Sequence, residues 1–567
     1  MFRRLMIVLT ALCAATTVVT APPASASDNG LSIRPAMGWS SWSFVRRWPD
    51  EAKIKAQADA LVSSGLAGHG FVHVNLDDFW QKCDANGFVV DSYGRWAVDT
   101  AKFPSGIKAL ADYIHGKGLK FGFYVTPGIA KNAVTANTPI EGTPYHARDI
   151  ADTTRTEKNY NCKNMYYIDY GKPGSQEFVN SWADQFASWG VDYLKIDGVG
   201  GADIPDVQAW DRALRQTGRP INYALSNNLP IANATTWRQL ANSWRTQGDV
   251  ECYCGPGPNG SGFPLTDWSH VSSRFTSAAN WQPYAGPGGW NDLDSLEIGN
   301  GDQVGLTADQ RRSHFTLWAM AASPLLLGTD LTDLTSTDLA MLTNDRLIAV
   351  NQDGVAAARI VNSGVNQVWR KREANGDHIV ALFNTGTSGN STVSVSWSQV
   401  GFSGSANVTD LWSGANVGTV SGSYSATLRP GETRLIRAVP TSGGGSSSYE
   451  AESGALSGSA AVASCSGCSG GQKVRFIGNN AGNHETISVT SSSAGTRTLT
   501  IDGLVDGTRS FSISVNGGAA RTATLTGTSW STPVTTTISV PLNAGSNTVR
   551  FFNDSAYAPD LDRITIS

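Results

Sequence analysis

The chain has 567 residues, with 43 Lys and Arg against 47 Asp and Glu and a formal net charge of −4. That balance leaves no electrostatic footprint for nucleic acid, and the length suggests three or four domains on a prior of ~150 residues each. Charged residues are 16 % of the chain, below the ~25 % usual in soluble domains; Gly, Ser, Thr and Trp take their place, which suits a neutral, hydroxyl-rich ligand.

In chain order, Arg3 and Arg4 precede the apolar run LMIVLTALCAATTVV and the small residues Ala24-Ser25-Ala26. A basic start, an apolar core and a small-residue cleavage site form a secretory signal peptide over residues 1–26, so the mature chain is expected to start at Ser27 and to be secreted and extracellular. No other apolar run approaches the ~20 residues of a membrane span, so no membrane partner is expected. Six cysteines then remain: Cys83, Cys162, Cys252, Cys254, Cys465 and Cys468. Export permits disulfides. Of fifteen pairings, proximity favours Cys465–Cys468 and Cys83–Cys162, leaving Cys252 and Cys254 for each other. Zinc would need four ligands held together, and the histidines are scattered.

From about residue 31 to 345, short apolar segments alternate with amphipathic helix patterns such as DEAKIKAQADALVSSG. The strand candidates are PAMGWSSW, FVHVNLDD, LKFGFYV, VDYLKID, INYALSN, the segment entering SWRTQGD, GGWNDLDSL and SPLLLGTD. Eight such units predict an α/β fold, a (β/α)8 barrel over residues 27–345. A doubly wound sheet would want a Gly-rich loop after its first strand, and none is present. Barrel chemistry gathers at strand C-terminal ends, where Asp77, Asp78, Asp197, Asp249, Asp292 and Asp294 fall. Residues 346–440 alternate apolar and polar with Gly/Asn/Ser turns and predict an antiparallel β-sandwich. A Gly/Ser linker follows at 441–448, then an all-β unit at 449–567 the size of a jelly-roll module.

VDYLKID (191–197) puts Tyr193, Lys195 and Asp197 on one strand face. A buried charge costs several kcal/mol unless paired, so Lys195 and Asp197 are either a structural ion pair or a nucleophile beside a substrate-binding cation. Two carboxylates at barrel-strand ends are the requirement of a glycosidase. Asp197 is the candidate nucleophile, and Lys195 would favour its ionised form. Asp249 is the candidate acid/base, with Arg245 as hydroxyl-binding group or partner.

At this point residues 31–440 resemble glycoside hydrolase family 27, the α-galactosidase family. The resemblance is carried by MGWSSW (37–42), NLDDFW (75–80), KGLKFGFY (117–124), DYLKID (192–197), SWRTQGD (243–249), PGGWNDLDSLEIGN (287–300), HFTLWAMAASPLLLGTDL (314–331) and IAVNQD (348–353). It implies a retaining enzyme acting on oligo- or polysaccharide, with Asp197 as nucleophile, Asp249 as acid/base and no cofactor for catalysis. It also implies that Asp77 and Asp78 accept hydrogen bonds from the 4- and 6-hydroxyls, that Trp39 walls the sugar, and that Lys195 and Arg245 lie near the 2- and 3-hydroxyls. One departure stands out: ALSNNLP replaces the family's Cys-Glu-Trp after strand five, so Ser226, Asn227 and Asn228 rebuild the 2-hydroxyl subsite. The family also contains isomaltodextranases and β-L-arabinopyranosidases; the Asp77-Asp78 pair favours galactose. A non-catalytic carbohydrate-binding barrel is the rival from another class, and retention of Asp197 and Asp249 argues against it.

The last unit resembles carbohydrate-binding module family 35 through YEAESG (449–454), CSGCSGGQKVRFIG (465–478), SVNGG (514–518), WSTPV (530–534) and NDSAYAPDLDRI (553–564). That resemblance implies a structural Ca²⁺ on Glu450, Glu452 and Asp562, and a sugar contact at Asn553 and Tyr557.

Overall fold

The computed structural model describes residues 29–441, 447–491 and 494–567; the segment read as a signal peptide and most of the Gly/Ser linker lie outside them. Eight short parallel strands form the first unit: β1 (Met37–Ser40), β2 (His73–Asn75), β3 (Lys120–Val125), β4 (Tyr193–Ile196), β5 (Asn222–Leu225), β6 (Ser243–Arg245), β7 (Trp290–Asp292) and β8 (Leu325–Leu327). From β1 to β7 each strand pairs with the next in sequence, and β1 pairs with β8. Leu296, just past β7, bridges Leu327 and donates to the Leu326 carbonyl at 2.8 Å, which closes the ring. The approach between strands is close: a Cβ on Gly122 would lie 1.9 Å from Asn75 Oδ1.

One principal helix follows each strand: α1 (Glu51–Ser63), α2 (Ile107–His115), α3 (Ser175–Trp189), α4 (Ile204–Gln216), α5 (Ala234–Leu240), α6 (Trp268–Trp281), α7 (Ala308–Ala321) and α8 (Ser336–Leu342). Helix α1 starts where Asp50 accepts the Lys53 N–H at 2.8 Å and buries Ile54, Ala58 and Leu61, one helical stripe. Helix α7 is buried on nearly every side from Ser313 to Ala321, because a second unit covers its outer face. Among the described residues no helix is long and apolar enough to cross a membrane.

That second unit is a six-stranded antiparallel sheet, in the order 358–363, 366–372, 378–384, 433–440, 405–410, 416–421, faced by the two-stranded antiparallel sheet of Ser391–Ser396 and Ser423–Leu428. Its strand His378–Asn384 is buried along its whole length, since one face meets the barrel and the other the two-stranded sheet. Phe383 packs edge-on to Phe275 of α6 with centroids 4.8 Å apart. The Trp268 indole donates to the Thr385 carbonyl at 3.0 Å. Trp369, Phe383 and Leu435 thereby belong to the same apolar core as the barrel helices.

The last unit is a single hydrogen-bonded network of antiparallel strands. Its long strand Gly495–Val515 bends around a bulge at Asp502/Gly503: the first half pairs with Asp560–Ile566, the second with Gly545–Phe552. One strand thus links two groups of strands around Leu499, Ile501, Phe511, Phe551 and Ile564. The linker is shorter than its composition implies. Ser447 and Ser448 pair with Ile566 and Thr565; two serines carry no strand signal, and the open edge of the final strand decides their conformation.

The three disulfides among the described residues are Cys83–Cys162, Cys252–Cys254 and Cys465–Cys468. Cys162 sits in an insertion between β3 and α3, built on Ala151–Glu157 and Met165–Ile168, which periodicity did not reveal.

Candidate active site

Strand parity decides what reaches the barrel mouth. On β4, Tyr193 and Lys195 face the interior, and Asp197 continues that face to the C-terminal end. Asp197 lines a cavity of ≈ 360 Å³ with Asp77, Asp78, Lys195, Asn227 and Asp249. Lys195 does not pair with Asp197: its Nζ donates to Asp77 Oδ2 at 2.8 Å. Side chains two apart on a strand are separated by roughly 6.6 Å, whereas the end of β2 projects Asp77 into the barrel within reach. Burial works against the Lys195 ammonium, but the charges of Asp77 and Asp197 outweigh it and hold it protonated. Asp197 accepts the Gly198 N–H at 2.8 Å on Oδ1 and the Tyr124 hydroxyl at 3.2 Å on Oδ2.

Asp78 Oδ1 accepts the Phe79 N–H at 2.7 Å and the Gln81 amide at 2.6 Å. Its Oδ2 is buried without a partner, an acceptor left for something that enters the cavity. Burial, opposed by those two donors and reinforced by the charges of Asp77 and Asp197, pushes its carboxyl up to about 7.

Asp249 follows β6 and faces the same cavity. Arg245 Nη2 reaches its Oδ1 at 3.2 Å, and the Tyr253 hydroxyl donates to its Oδ2. Burial acts to raise this carboxyl, but the Arg245 guanidinium and the Tyr253 hydrogen bond prevail and hold it below the usual range. Arg245 itself is deeply buried and also binds Asp294 at 2.8 Å, while Asp294 accepts the Val250 N–H at 2.7 Å. Arg245 and Ser226 therefore line not the main cavity but a space of ≈ 40 Å³ beneath it, which shares Asp77 and Lys195. Of the two roles expected for Arg245, hydroxyl-binding group or partner, the structure displays the second, through its bonds to Asp249 and Asp294. In the strand-five loop Asn227 is the residue on the cavity wall, with φ +125, a strained backbone for a non-glycine residue and one often found at functional sites.

Trp39 is a second correction. Ser40 faces the barrel interior, so its neighbour Trp39 points the other way; it is fully buried, with its indole donating to the Thr329 carbonyl at 2.8 Å. The aromatic wall is Trp42, in the turn after β1, together with Phe79, Tyr124, Tyr160 and Tyr253. Trp42 was visible in MGWSSW as the other tryptophan, and only the exit path of the chain selects it. Tyr160 comes from the insertion, for which no periodic signal exists.

In the last unit, Glu450 Oε2, Glu452 Oε2 and Asp562 Oδ1 are buried without partners. Glu452 Oε1 and Glu450 Oε2 flank Gly470, 2.5 and 3.7 Å from where its Cβ would be. Burial and the Glu450 charge, against the Ser469 backbone hydrogen bond, push Asp562 up to about 6. This acceptor-only, oxygen-rich set fits a hard cation. The described carboxylates whose oxygens all lie within 4.8 Å of one another are a different group, Asp249, Glu251 and Asp294, where Arg245 already supplies positive charge. Asn553 is a further correction: its amide donates to the Ser510 carbonyl and its oxygen caps Ser555 and Ala556, so the turn consumes it. Tyr557 is 42 % exposed and faces Phe476, 46 % exposed, at 6.3 Å. Trp530 is also exposed, with Arg509 stacked on it at 4.8 Å.

Comparison with known proteins accords with this geometry. The family described as Alpha galactosidase A matches residues 35–157 and 159–353. The α-galactosidase of Oryza sativa subsp. japonica is 34 % identical over 423 residues, 73 % of this chain and 87 % of the relative. The chain belongs to the α-galactosidase family, glycoside hydrolase family 27. The family's C-terminal β-sandwich domain matches residues 363–438, the sheet packed on α6 and α7. Arabidopsis thaliana α-galactosidase 3 is 37 % identical over 73 % of this chain and 83 % of its own. Among solved structures, a family 27 β-L-arabinopyranosidase from Geobacillus stearothermophilus aligns with TM-score 0.66 at 32 % identity, over 73 % of this chain and 98 % of that one. The α-galactosidase I of Mortierella vinacea aligns with TM-score 0.58 at 30 % identity, over the same shares. The family (β/α)8 unit and its β-sandwich are thus both present, and the chain is a glycoside hydrolase.

Proposed function

We propose that this family 27 member is a secreted retaining α-galactosidase, releasing terminal α-galactosyl residues from oligo- or polysaccharides through a glycosyl-Asp197 intermediate. The observation that carries this reading is one cavity bearing Asp197, Asp249 and the unpartnered oxygen of Asp78. An Asp197 oxygen attacks the anomeric carbon as the bond to the leaving oxygen breaks and Asp249 delivers its proton there. Asp249 then takes a proton from the attacking water, which frees Asp197. Because Arg245 and Tyr253 hold the Asp249 carboxyl low, the protonated acid is best populated on the acid side of neutral. Hydrolysis of 4-nitrophenyl α-galactoside beside the β-L-arabinopyranoside, the α-glucoside and dextran tests the assignment; preference for either α-glucan substrate would overturn it.

The Geobacillus likeness supports a second reading, arabinopyranoside hydrolysis. β-L-Arabinopyranose matches α-galactose except that it lacks the hydroxymethyl group, so the residue that reads C6 discriminates between them. The free Asp78 oxygen favours the hexose. Asp78→Asn is expected to lower kcat/KM on the α-galactoside at least ~10-fold, one charge-assisted bond being worth ~1.5–3 kcal/mol. Its raised carboxyl favours the folded state at low pH, a contribution present below the unfolded value near 4 and lost as pH rises through about 7. Asp78→Asn should therefore also flatten the fall in melting temperature over that window. A variant with wild-type activity and slope would remove Asp78 from sugar recognition.

The last unit is read as a carbohydrate-binding jelly-roll module. Support comes from the exposed aromatics Phe476, Trp530 and Tyr557, since aromatic faces pack on apolar sugar faces, and from the orphaned oxygens of Glu450, Glu452 and Asp562, which would hold Ca²⁺ to clip the first strand to the last. A chain ending at Pro440 should keep activity on the nitrophenyl substrate and lose retention on insoluble polysaccharide. In the full chain EGTA should lower the melting temperature of this unit. Loss of small-substrate activity on truncation, or no response to EGTA, would overturn the respective reading. Secretion is supported by residues 1–26 and by the three disulfides, which need an oxidising compartment; an N-terminus at Ser27 on the exported protein would test it.

A further inference from the structure

Tyr253 touches the carboxylate on which proton transfer depends, and it is held from several sides. Its hydroxyl donates to Asp249 Oδ2 and accepts the Trp42 indole N–H at 2.9 Å. The Arg46 guanidinium lies 4.5 Å from its ring centre. Its backbone is left-handed, φ +50, uncommon for a tyrosine, and the two cysteines that flank it are joined to each other. The Asp249 side chain is 41 % exposed, so packing alone does not fix it. With Arg245 on Oδ1 and Tyr253 on Oδ2, the plane of the carboxyl is set.

We propose that Tyr253, clamped by Trp42 and the Cys252–Cys254 link, is a positioning residue that holds the Asp249 carboxyl toward the leaving-group oxygen. The proposal rests on the reading of Asp249 as acid/base. The other charged or titratable groups around Asp249 are Arg245 on β6, Lys195 on β4, Glu251 in its own loop, Asp294 after β7, Arg274 on α6 and Tyr160 in the insertion, with Asp77, Asp78 and Asp197 in the same cavity. Burial favours protonation of Asp249, while Arg245 and then the Tyr253 hydrogen bond oppose it. Removing the hydroxyl therefore lets Asp249 keep its proton to higher pH. The Trp42 donor polarises the same hydroxyl and strengthens its bond to Asp249.

The test is Tyr253→Phe in the full chain, with kcat/KM measured across pH on 4-nitrophenyl α-galactoside and on an unactivated galactosyl disaccharide. The basic limb is expected to move up by about one pH unit, the worth of one charge-assisted hydrogen bond. The disaccharide, whose leaving oxygen needs the proton, should lose at least ~10-fold more than the nitrophenyl substrate. An unmoved limb with equal loss on both substrates would overturn the proposal, because a purely structural role moves both together. Should Tyr253→Phe fail to fold, Trp42→Phe removes the donor to the hydroxyl and trims the cavity wall; the wall change alters KM at every pH, whereas loss of the donor must shift the limb in the same direction as Tyr253→Phe, by less, and no shift there sinks the proposal as well. Asp249→Ala separates the two readings. If it shows no dependence on the leaving group, the acid/base assignment itself fails; if it does and Tyr253→Phe does not, only the role of Tyr253 fails.

Discussion

Asp197→Asn is expected to lower kcat on α-galactosides by at least ~10⁴-fold, the scale on which loss of one member of a catalytic unit is felt. The substitution preserves shape: the amide oxygen can still accept the Gly198 N–H, and the amide nitrogen can meet the Tyr124 hydroxyl. The melting temperature should change little, so the loss reads chemistry rather than folding. What disappears is the anionic oxygen that bonds to the anomeric carbon. In the wild type, NMR of the first-formed sugar should show the anomeric configuration of the substrate, because two displacements at one carbon restore it. An inverted first product, or a variant that retains more than a hundredth of the activity, would take Asp197 out of the nucleophile's role.

Asp249→Ala should divide the two half-reactions. With an unactivated disaccharide, kcat/KM is expected to fall by ~10²–10⁴-fold, the usual contribution of a positioned general acid. With 4-nitrophenyl galactoside, whose leaving group needs no proton, the first step should be nearly spared and the glycosyl-enzyme should accumulate as a burst, since no base remains to activate water. Alanine also opens space beside Arg245, whose guanidinium then lacks its Asp249 partner while still binding Asp294. A small anion such as azide can enter there and take water's part without base help. Faster turnover with azide, giving a galactosyl azide of retained configuration, is the expected signature; equal losses on both substrates with no azide effect would contradict the assignment.

Much of the site was legible because period-two alternation and strand-end position are local. Tyr193, Lys195 and Asp197 share a face whatever the barrel does around them, and Asp77, Asp78 and Asp249 end or follow strands whose apolar runs are visible. Nearness in the chain also sufficed for Cys465–Cys468, while Cys252–Cys254 was the pair left over. Alternation says which residues share a face, however, and not which face turns inward. Trp39, assigned to the sugar wall by resemblance alone, turns away from the interior, and Trp42, beyond the last residue of β1, forms the wall. The partners of charged groups were hidden for a related reason: Lys195 meets Asp77 across 118 positions of sequence, a contact created by ring closure.

By itself, then, the sequence determined the alternation of strands and helices, the carboxylates at their C-terminal ends, the all-β character of the two later units and the family to which the chain belongs, since each is written in residues close together or in ordered motifs. Tertiary structure alone decided which polar groups meet. It seated Arg245 under Asp249 and Asp294, occupied Asn553 within its own turn, drew Ser447 and Ser448 into the edge of the last sheet, and carried Tyr160 and Tyr253 to the cavity on loops with no period. Such choices depend on where a closed barrel and a bent strand leave donors, acceptors and sheet edges unsatisfied, and that is a property of the assembled backbone.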